Sequence, residues 1–489
     1  VRYASPAMAS NVTPHPLEPS ADELRRIVLE ALERIVAHVE SLPRQAVSDT
    51  AGGFEIASFL AEPEPPREGA PLAELLDLFF NRALAKTFNT ASPGYLAFIP
   101  GGGLLHSAVA DLIADATNRY SSVYAAAPAV AQIEANVLSW LCRIAGYPPE
   151  ARGLLTSGGS LANWTGLVTA RRERLPENFL SGTIYTSDQA HHSVAKSALL
   201  AGFPAGNVRR VPVDGAFRIR PDALEEAIEE DRRRGLTPFL IAASAGTTNS
   251  GAVDPLEDLA DLAARHGLWL HVDAAYGGFF LLTEHGRKAM RGIDRADSIV
   301  LDPHKGLFLP YGTGALLVRD GQALRRAHAV TADYMPPIQD DPTRIDISEY
   351  GPELSRPFRG LRVWLPLKMH GIGVFEEQLE EKLVLARLAA DRIRALPGIE
   401  MLAEPQLSLF AFRLVPPGWE DRSGEDLNRL NRHFLERINA RQRVFLTGTL
   451  LGKVFALRIC VLSFRTHRER IDMALEDVEA ALHESVPRP

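Results

Sequence analysis

Between Gly182 and Val318, short apolar runs alternate with amphipathic stretches of helical period, and this alternation restricts the fold more than any other feature. Residues 182–186, 239–244, 268–272, 298–301 and 315–318 read as strands, with helical patterns at 189–201, 221–234 and 255–266 between them. Strand–helix–strand order predicts an α/β fold whose central sheet is mostly parallel and covered by helices on both faces. Ligands of such sheets sit beyond the carboxyl ends of the strands, so the residues that follow each run are where chemistry is expected.

Lys305 stands there, in Asp302-Pro303-His304-Lys305-Gly306, just past the run 298–301. A buried lysine is costly unless it is paired or chemically used. Lys305 is therefore either a loop residue with its amine in water or a nucleophile. Desolvation or a neighbouring positive charge would lower its pKa enough for it to react at neutral pH.

Four other segments occupy equivalent places. Thr156-Ser157-Gly158-Gly159-Ser160-Leu161-Ala162-Asn163 puts glycines and hydroxyls before a helix, which suits a phosphate cup or a plain capped turn. It is neither a Walker loop nor a G-x-G-x-x-G fingerprint. Leu270-His271-Val272-Asp273-Ala274-Ala275 ends a strand on an aspartate, able to hold a protonated ring nitrogen, a metal or a sugar hydroxyl. No further ligands stand at metal spacing, so no metal is expected. Asp188-Gln189-Ala190-His191-His192-Ser193 offers an imidazole that could stack on a flat ligand, although two adjacent histidines are expected to point their rings apart. Ser244-Ala245-Gly246-Thr247-Thr248-Asn249 is small and hydroxyl-bearing, which fits close approach to a planar group or a simple capped turn. Together these groups suit one chemistry. An aldehyde cofactor with a phosphate tail needs a lysine for the Schiff base, an anion site, an acid partner for its ring nitrogen and a flat group over the ring.

The stretches HVDAAYGG, DPHKG, SGGSLAN, DQAHHS and SAGTTNSGAVDPL, in this order, resemble the pyridoxal-5′-phosphate-dependent group II amino-acid decarboxylases over roughly residues 72–482. The resemblance implies the type I (aspartate-aminotransferase) fold and pyridoxal 5′-phosphate as cofactor. It implies that Lys305 carries the cofactor, that Asp273 pairs with the pyridine nitrogen and that His191 stacks on the ring. Gly159 and Ser160 would hold the phosphate with His304 and Asp302, while Thr247 and Ala275 would contact the ring. Residues 331–350 resemble the mobile catalytic loop, with Tyr334 as the proton donor after carbon dioxide leaves. Phe98, Gly101, Tyr124 and Arg356 fall on substrate-pocket strips, some of which a dimer partner contributes, so a homodimer with its site near the subunit interface is implied. The chain departs from the pattern at Gly306, where many relatives have Trp, and at His192, where a small residue is usual. It also departs at Gly101, often Thr or Ser in the aromatic type, and at Asp302, where the aromatic enzymes have Asn.

The expected reaction is decarboxylation of an L-amino acid to the amine and carbon dioxide. Phe98 and Tyr124 favour an aromatic substrate of the Tyr, Trp, Phe or Dopa type. An acidic substrate (Glu, Asp or cysteine sulfinate) would need an arginine, for which Arg356 and Arg119 are the candidates. An aldehyde synthase on the same scaffold is a rival that Tyr334 argues against. A catalytically inactive binding protein is another, disfavoured by the joint presence of Lys305, Asp273 and His191.

The flanks complete the organisation. Ser20-Ala21-Asp22-Glu23 is a capping box, followed by apolar residues at helical spacing over ~six turns. A further helix is expected at 71–87. After residue 371, a long helix (375–396), strands at 407–414 and 455–463 and helices at 424–439 and 468–483 predict a small α+β module. The expected divisions are a helical segment, 1–90, that docks in the dimer, a cofactor-binding domain, 91–370, and a small domain, 371–489. A net charge of −8 gives no electrostatic footprint for nucleic acid. No apolar run is long enough to span a membrane, and the first residues lack an apolar signal region. Two cysteines, Cys142 and Cys460, in apolar segments read as buried thiols of a cytoplasmic protein.

Overall fold

The computed structural model describes residues 17–330 and 344–485, so the loop tyrosine Tyr334 lies outside the described residues. The chain forms two units, Val1–Asn89 and Thr90–Pro489.

In the first unit the capping box works as its sequence implies. The Ser20 hydroxyl accepts from the Glu23 amide at 3.2 Å and starts the helix Ala21–Ser41. None of that helix is buried, and its stripe of Leu24, Leu29, Leu32 and Val36 is exposed. The helix expected at 71–87 is α-helical only over Leu72–Leu78 and then changes pitch, through a π turn (Phe79–Ala83) and a 3₁₀ turn (Leu84–Lys86).

The second unit is built on a seven-stranded sheet. Its strands are β1 (Arg152–Thr156), β2 (Gly182–Ser187), β3 (Val208–Val211), β4 (Thr237–Ser244), β5 (Trp269–Asp273), β6 (Ser298–Leu301) and β7 (Gly314–Val318), in the order β1-β7-β6-β5-β4-β2-β3. The pairs joining β3, β2, β4, β5 and β6 are parallel. β7 alone runs against both its neighbours. The reason lies in its connection. Between Leu301 and Gly314 the chain has a single helical turn, Pro303–Gly306, which is too little for a parallel crossover, so the strand returns antiparallel. Two antiparallel steps in succession leave β1 pointing the same way as β6. The carboxyl ends of β1, β2, β4, β5 and β6 therefore meet at one edge of the sheet.

Alternate residues feed two cores, which is why the strands read as continuous apolar runs. Ile241, Leu270, Val272, Ile299 and Leu317 pack into one, while Leu240, Trp269, Val300 and Leu316 pack into the other. A third core lies within a four-stranded antiparallel sheet and its helices Ile372–Arg394, Gly424–Asn439 and Arg468–Ser485. The strands of this smaller sheet are β8 (Ile399–Ala403), β9 (Leu409–Leu414), β10 (Thr447–Leu451) and β11 (Val454–Cys460), in the order β10-β11-β9-β8. Cys142 and Cys460 are buried free thiols. Among the described residues, no helix is long and apolar enough to cross a membrane and no cluster of three or more His, Cys, Asp or Glu side chains could hold a metal.

Candidate active site

At the shared strand edge lies a cavity of about 300 Å³. Gly159, Ser160, His191, Thr247, Asp273, Ala275, Asp302, His304 and Lys305 all line it, each delivered by the end of a strand or the first turn after one. Ser157, Asn163, Ser193, Ser244, Thr248 and Tyr276 line it too, and of these none had been singled out.

On the anion side, the helix Gly159–Arg174 begins at the cavity, and its first amides have no intrahelical acceptor. Gly159 leaves little room for a side chain. A Cβ there would lie 3.0 Å from Asp302 Oδ2 and 3.2 Å from the Ala275 Cβ, closing the cup. The other carboxylate oxygen of Asp302 is buried without a partner.

Lys305 Nζ lies 2.9 Å from Asp302 Oδ2. Burial pushes the lysine's pKa down, but the charge of Asp302 and its hydrogen bond, with smaller help from Asp273 and Tyr311, hold it above the ordinary lysine value. The sequence expectation of a lowered pKa is thus corrected. One helical turn folds an acid back onto the amine, and the pairing outweighs desolvation. His304 Nδ1 is 2.6 Å from the Thr313 carbonyl, and burial lowers this imidazole's pKa against the opposing pull of Asp302.

On the ring side, Asp273 ends β5 and is nearly buried. Its Oδ1 accepts from the Ala275 amide at 3.1 Å and its Oδ2 from the Asn163 carboxamide at 2.9 Å. His191 is the N-cap of the helix His192–Leu200, where its Nδ1 accepts from the Ser193 amide. Burial, the leading effect, lowers its pKa although Asp273 raises it. Its ring and that of His192 do not diverge as expected. Their centroids lie 4.1 Å apart with a 46° tilt, because the cap turn folds one ring back on the next.

None of the four substrate candidates lines the cavity itself. Gly101 comes nearest, since a Cβ there would strike the His304 carbonyl at 2.6 Å and approach the Tyr311 ring at 3.6 Å. Phe98 is about half exposed, in the left-handed region at φ +51°, with its carbonyl accepting from Arg458 at 2.7 Å. Tyr124 donates its amide to Asp346 at 2.6 Å. Arg356 sits in a buried ion pair with Glu134 made through one guanidinium nitrogen, while its Nη1 is buried without a partner. Tyr311 and Arg458 were missed by sequence reasoning. Tyr311 is half exposed beside His304, 5.6 Å between ring centroids, and Arg458 is buried on β11.

This geometry fits pyridoxal 5′-phosphate. A helix start and hydroxyls could receive the phosphate, an aspartate and a histidine line the same cavity, and a lysine amine lies among them. Comparison with known proteins agrees. The model of the pyridoxal-dependent decarboxylase conserved domain matches residues 60–415. An aromatic-L-amino-acid decarboxylase of Bacillus atrophaeus is 34% identical over 96% of this chain and 97% of its own. An acidic amino acid decarboxylase of Homo sapiens is 31% identical over 84% of this chain and 81% of its own. The Oryza sativa TDC structure solved with PLP and tryptamine superposes with a TM-score of 0.91 at 28% identity, covering 97% of this chain and all of that one. The chain belongs to the pyridoxal-dependent decarboxylase family and is a pyridoxal-5′-phosphate-dependent carboxy-lyase.

Proposed function

We propose that the protein removes the α-carboxylate of an aromatic L-amino acid, giving the amine and carbon dioxide. The observation that carries this preference is the charge of the cavity wall. Its basic groups are His191, His304 and Lys305, with no arginine among the lining residues, and Arg356 is neutralised by Glu134. A substrate with a second carboxylate would enter without a partner for it, which is unfavourable in a largely desolvated site. The half-exposed Tyr311 ring beside His304 offers a flat apolar surface instead.

Pyridoxal phosphate supplies an electron sink for the pair left behind when the carboxylate departs. The chain supplies the rest. Gly159 and Ser160, at the start of their helix, bind the phosphate. Asp273, held by two N–H donors, keeps a proton on the ring nitrogen. His191 covers one ring face. Lys305 would hold the cofactor through its amine, and Asp302, 2.9 Å away, or solvent can take that amine's proton. Thr247 and Ala275 fill the remaining wall. Tyr334 would return a proton to the α-carbon. We further propose a homodimer, in which the exposed apolar stripe of the helix Ala21–Ser41 is covered by the second subunit.

A substrate panel tests this reading. Protein with pyridoxal phosphate is given each common L-amino acid and Dopa, with a Lys305→Ala control, and carbon dioxide, amine and aldehyde are quantified. Equal carbon dioxide and amine from Tyr, Trp, Phe or Dopa is the expected result. The same products from Glu, Asp or cysteine sulfinate would overturn the aromatic preference, and aldehyde in place of amine would reassign the product.

A further inference from the structure

From the cavity wall inward, a line of hydrogen bonds runs through buried side chains, of which Asn163 and Ser193 also line the cavity. The Trp269 indole donates to Ser298 Oγ at 2.7 Å. Ser298 Oγ is 2.7 Å from His271 Nδ1, and His271 Nε2 is 2.8 Å from Asn163 Oδ1. The Asn163 amide nitrogen then reaches two acceptors, Asp273 Oδ2 and Ser193 Oγ, both at 2.9 Å. Ser193 Oγ lies 2.7 Å from His191 Nδ1. Trp269, Ser298, His271, Asn163 and Ser193 are all at most 4% exposed.

Chemistry gives this line one direction. An indole only donates, so Ser298 accepts from Trp269 and spends its own proton on His271 Nδ1. His271 must then carry its proton on Nε2, facing the Asn163 oxygen, and burial keeps the ring neutral by pushing its pKa down to about 4. The carboxylate of Asp273 only accepts, which turns the nitrogen of Asn163 toward it and the oxygen toward His271. The second amide proton goes to Ser193. That hydroxyl donates in turn to His191 Nδ1, which the Ser193 amide also approaches at 3.3 Å. Reversing any link would bury an unsatisfied donor or set two acceptors face to face. The backbone makes room for the arrangement. A Cβ at Gly166, one turn along the helix from Asn163, would lie 2.8 Å from His271 Cε1.

We propose that Asn163 is a positioning residue: its carboxamide, held in one orientation by the Trp269–Ser298–His271 chain, fixes the Asp273 carboxylate and, through Ser193, the His191 ring in register with each other. The inference rests on Asp273 and His191 gripping the cofactor ring. Asn163 touches neither reacting atom. It sets the distance and tilt between the two groups that hold the ring, and it selects the His191 tautomer with its proton on Nε2.

Two measurements on the full chain test this. The first uses the protein without cofactor. ¹⁵N NMR of the histidine rings is expected to show His271 neutral and protonated on Nε2 from pH 6 to 8, and a proton on Nδ1 would overturn the proposal. The second compares wild type, Asn163→Ala, His271→Phe and His271→Gln in pyridoxal-phosphate affinity and in the absorbance of the bound cofactor across pH. Asn163→Ala and His271→Phe are expected to weaken binding by roughly ten- to a hundredfold, as loss of outer-layer partners does at metal sites, and to shift the absorbance titration. His271→Gln, whose amide can still donate to Asn163 Oδ1, is expected to recover most of the affinity. Wild-type affinity and spectra in Asn163→Ala, or equal damage in His271→Gln and His271→Phe, would overturn it. If wild type itself bound no pyridoxal phosphate, the cofactor reading would fail, while the NMR result would still decide the network.

Discussion

Replacing Asp302 by Asn separates Lys305, the proposed anchor of the cofactor, from the acid it is paired with. The ion pair is short, 2.9 Å, with Asp302 almost wholly buried and the Lys305 side chain about one-fifth exposed. Its gross Coulomb attraction at that distance is ~6 kcal/mol for an effective dielectric constant near 20. Desolvation of the two ions cancels several kcal/mol of this, so a net ~1–2 kcal/mol is expected in favour of the protonated amine. In the proposed role Lys305 would have to shed that proton to attach the cofactor, so Asp302→Asn should speed attachment near pH 8 by roughly tenfold, since each 1.4 kcal/mol is a decade. Stopped-flow absorbance after mixing the cofactor-free protein with pyridoxal phosphate measures this directly. The stability consequence has a definite sign. A lysine whose folded pKa is raised stabilises fully below its unfolded value and loses that contribution as pH rises through the folded value. The cofactor-free wild type should therefore exceed the variant in urea resistance at pH 8, with the gap closing above pH 10.5. Attachment that is slower in Asp302→Asn at every pH, with an unchanged pH dependence, would refute the reasoning.

Arg356→Ala leaves Glu134 buried and unpaired, so it should cost ~3–5 kcal/mol in urea denaturation. If the folded fraction is compared at low temperature, KM for the amino acid should stay within about twofold of wild type, as expected when a residue acts on stability and not on binding. Gly166→Ala drives a methyl into the His271 ring, and ~1–3 kcal/mol of destabilisation is expected from thermal unfolding.

The strands that carry the site were legible because they are buried on both faces and so stand out as apolar runs. β3 was not, since Val208-Arg209-Arg210-Val211 is an edge strand with two arginines at its centre. β1 was hidden because it opens on Arg152-Gly153 instead of an apolar run, and β10 by a two-residue turn, Gly452-Lys453, that lacks the usual Asn-Gly signal. The site motifs were readable because each sits where a strand ends. What a linear reading could not supply was pairing across the chain. Nothing near Arg356 announces Glu134, on a helix more than two hundred residues earlier. Asn163 stood inside a quoted motif, yet its role depends on His271 and Ser298, which reach it only once β5 and β6 are laid side by side. The sign of the Lys305 shift was in principle visible, since Asp302 precedes it by one helical turn, but only the fold decides whether pairing or burial prevails.

The antiparallel return of β7 has a consequence for how the molecule is made. β1 is an edge strand, and its sole neighbour in the sheet is β7, the last of the seven strands to leave the ribosome. At ordinary elongation speeds, on the order of ten seconds separate the synthesis of the two. Throughout that interval the turn proposed to hold the phosphate hangs from a strand with nothing to pair with. The nascent chain therefore cannot capture its cofactor early, and a sticky open edge is exposed for as long as the lysine is still to come.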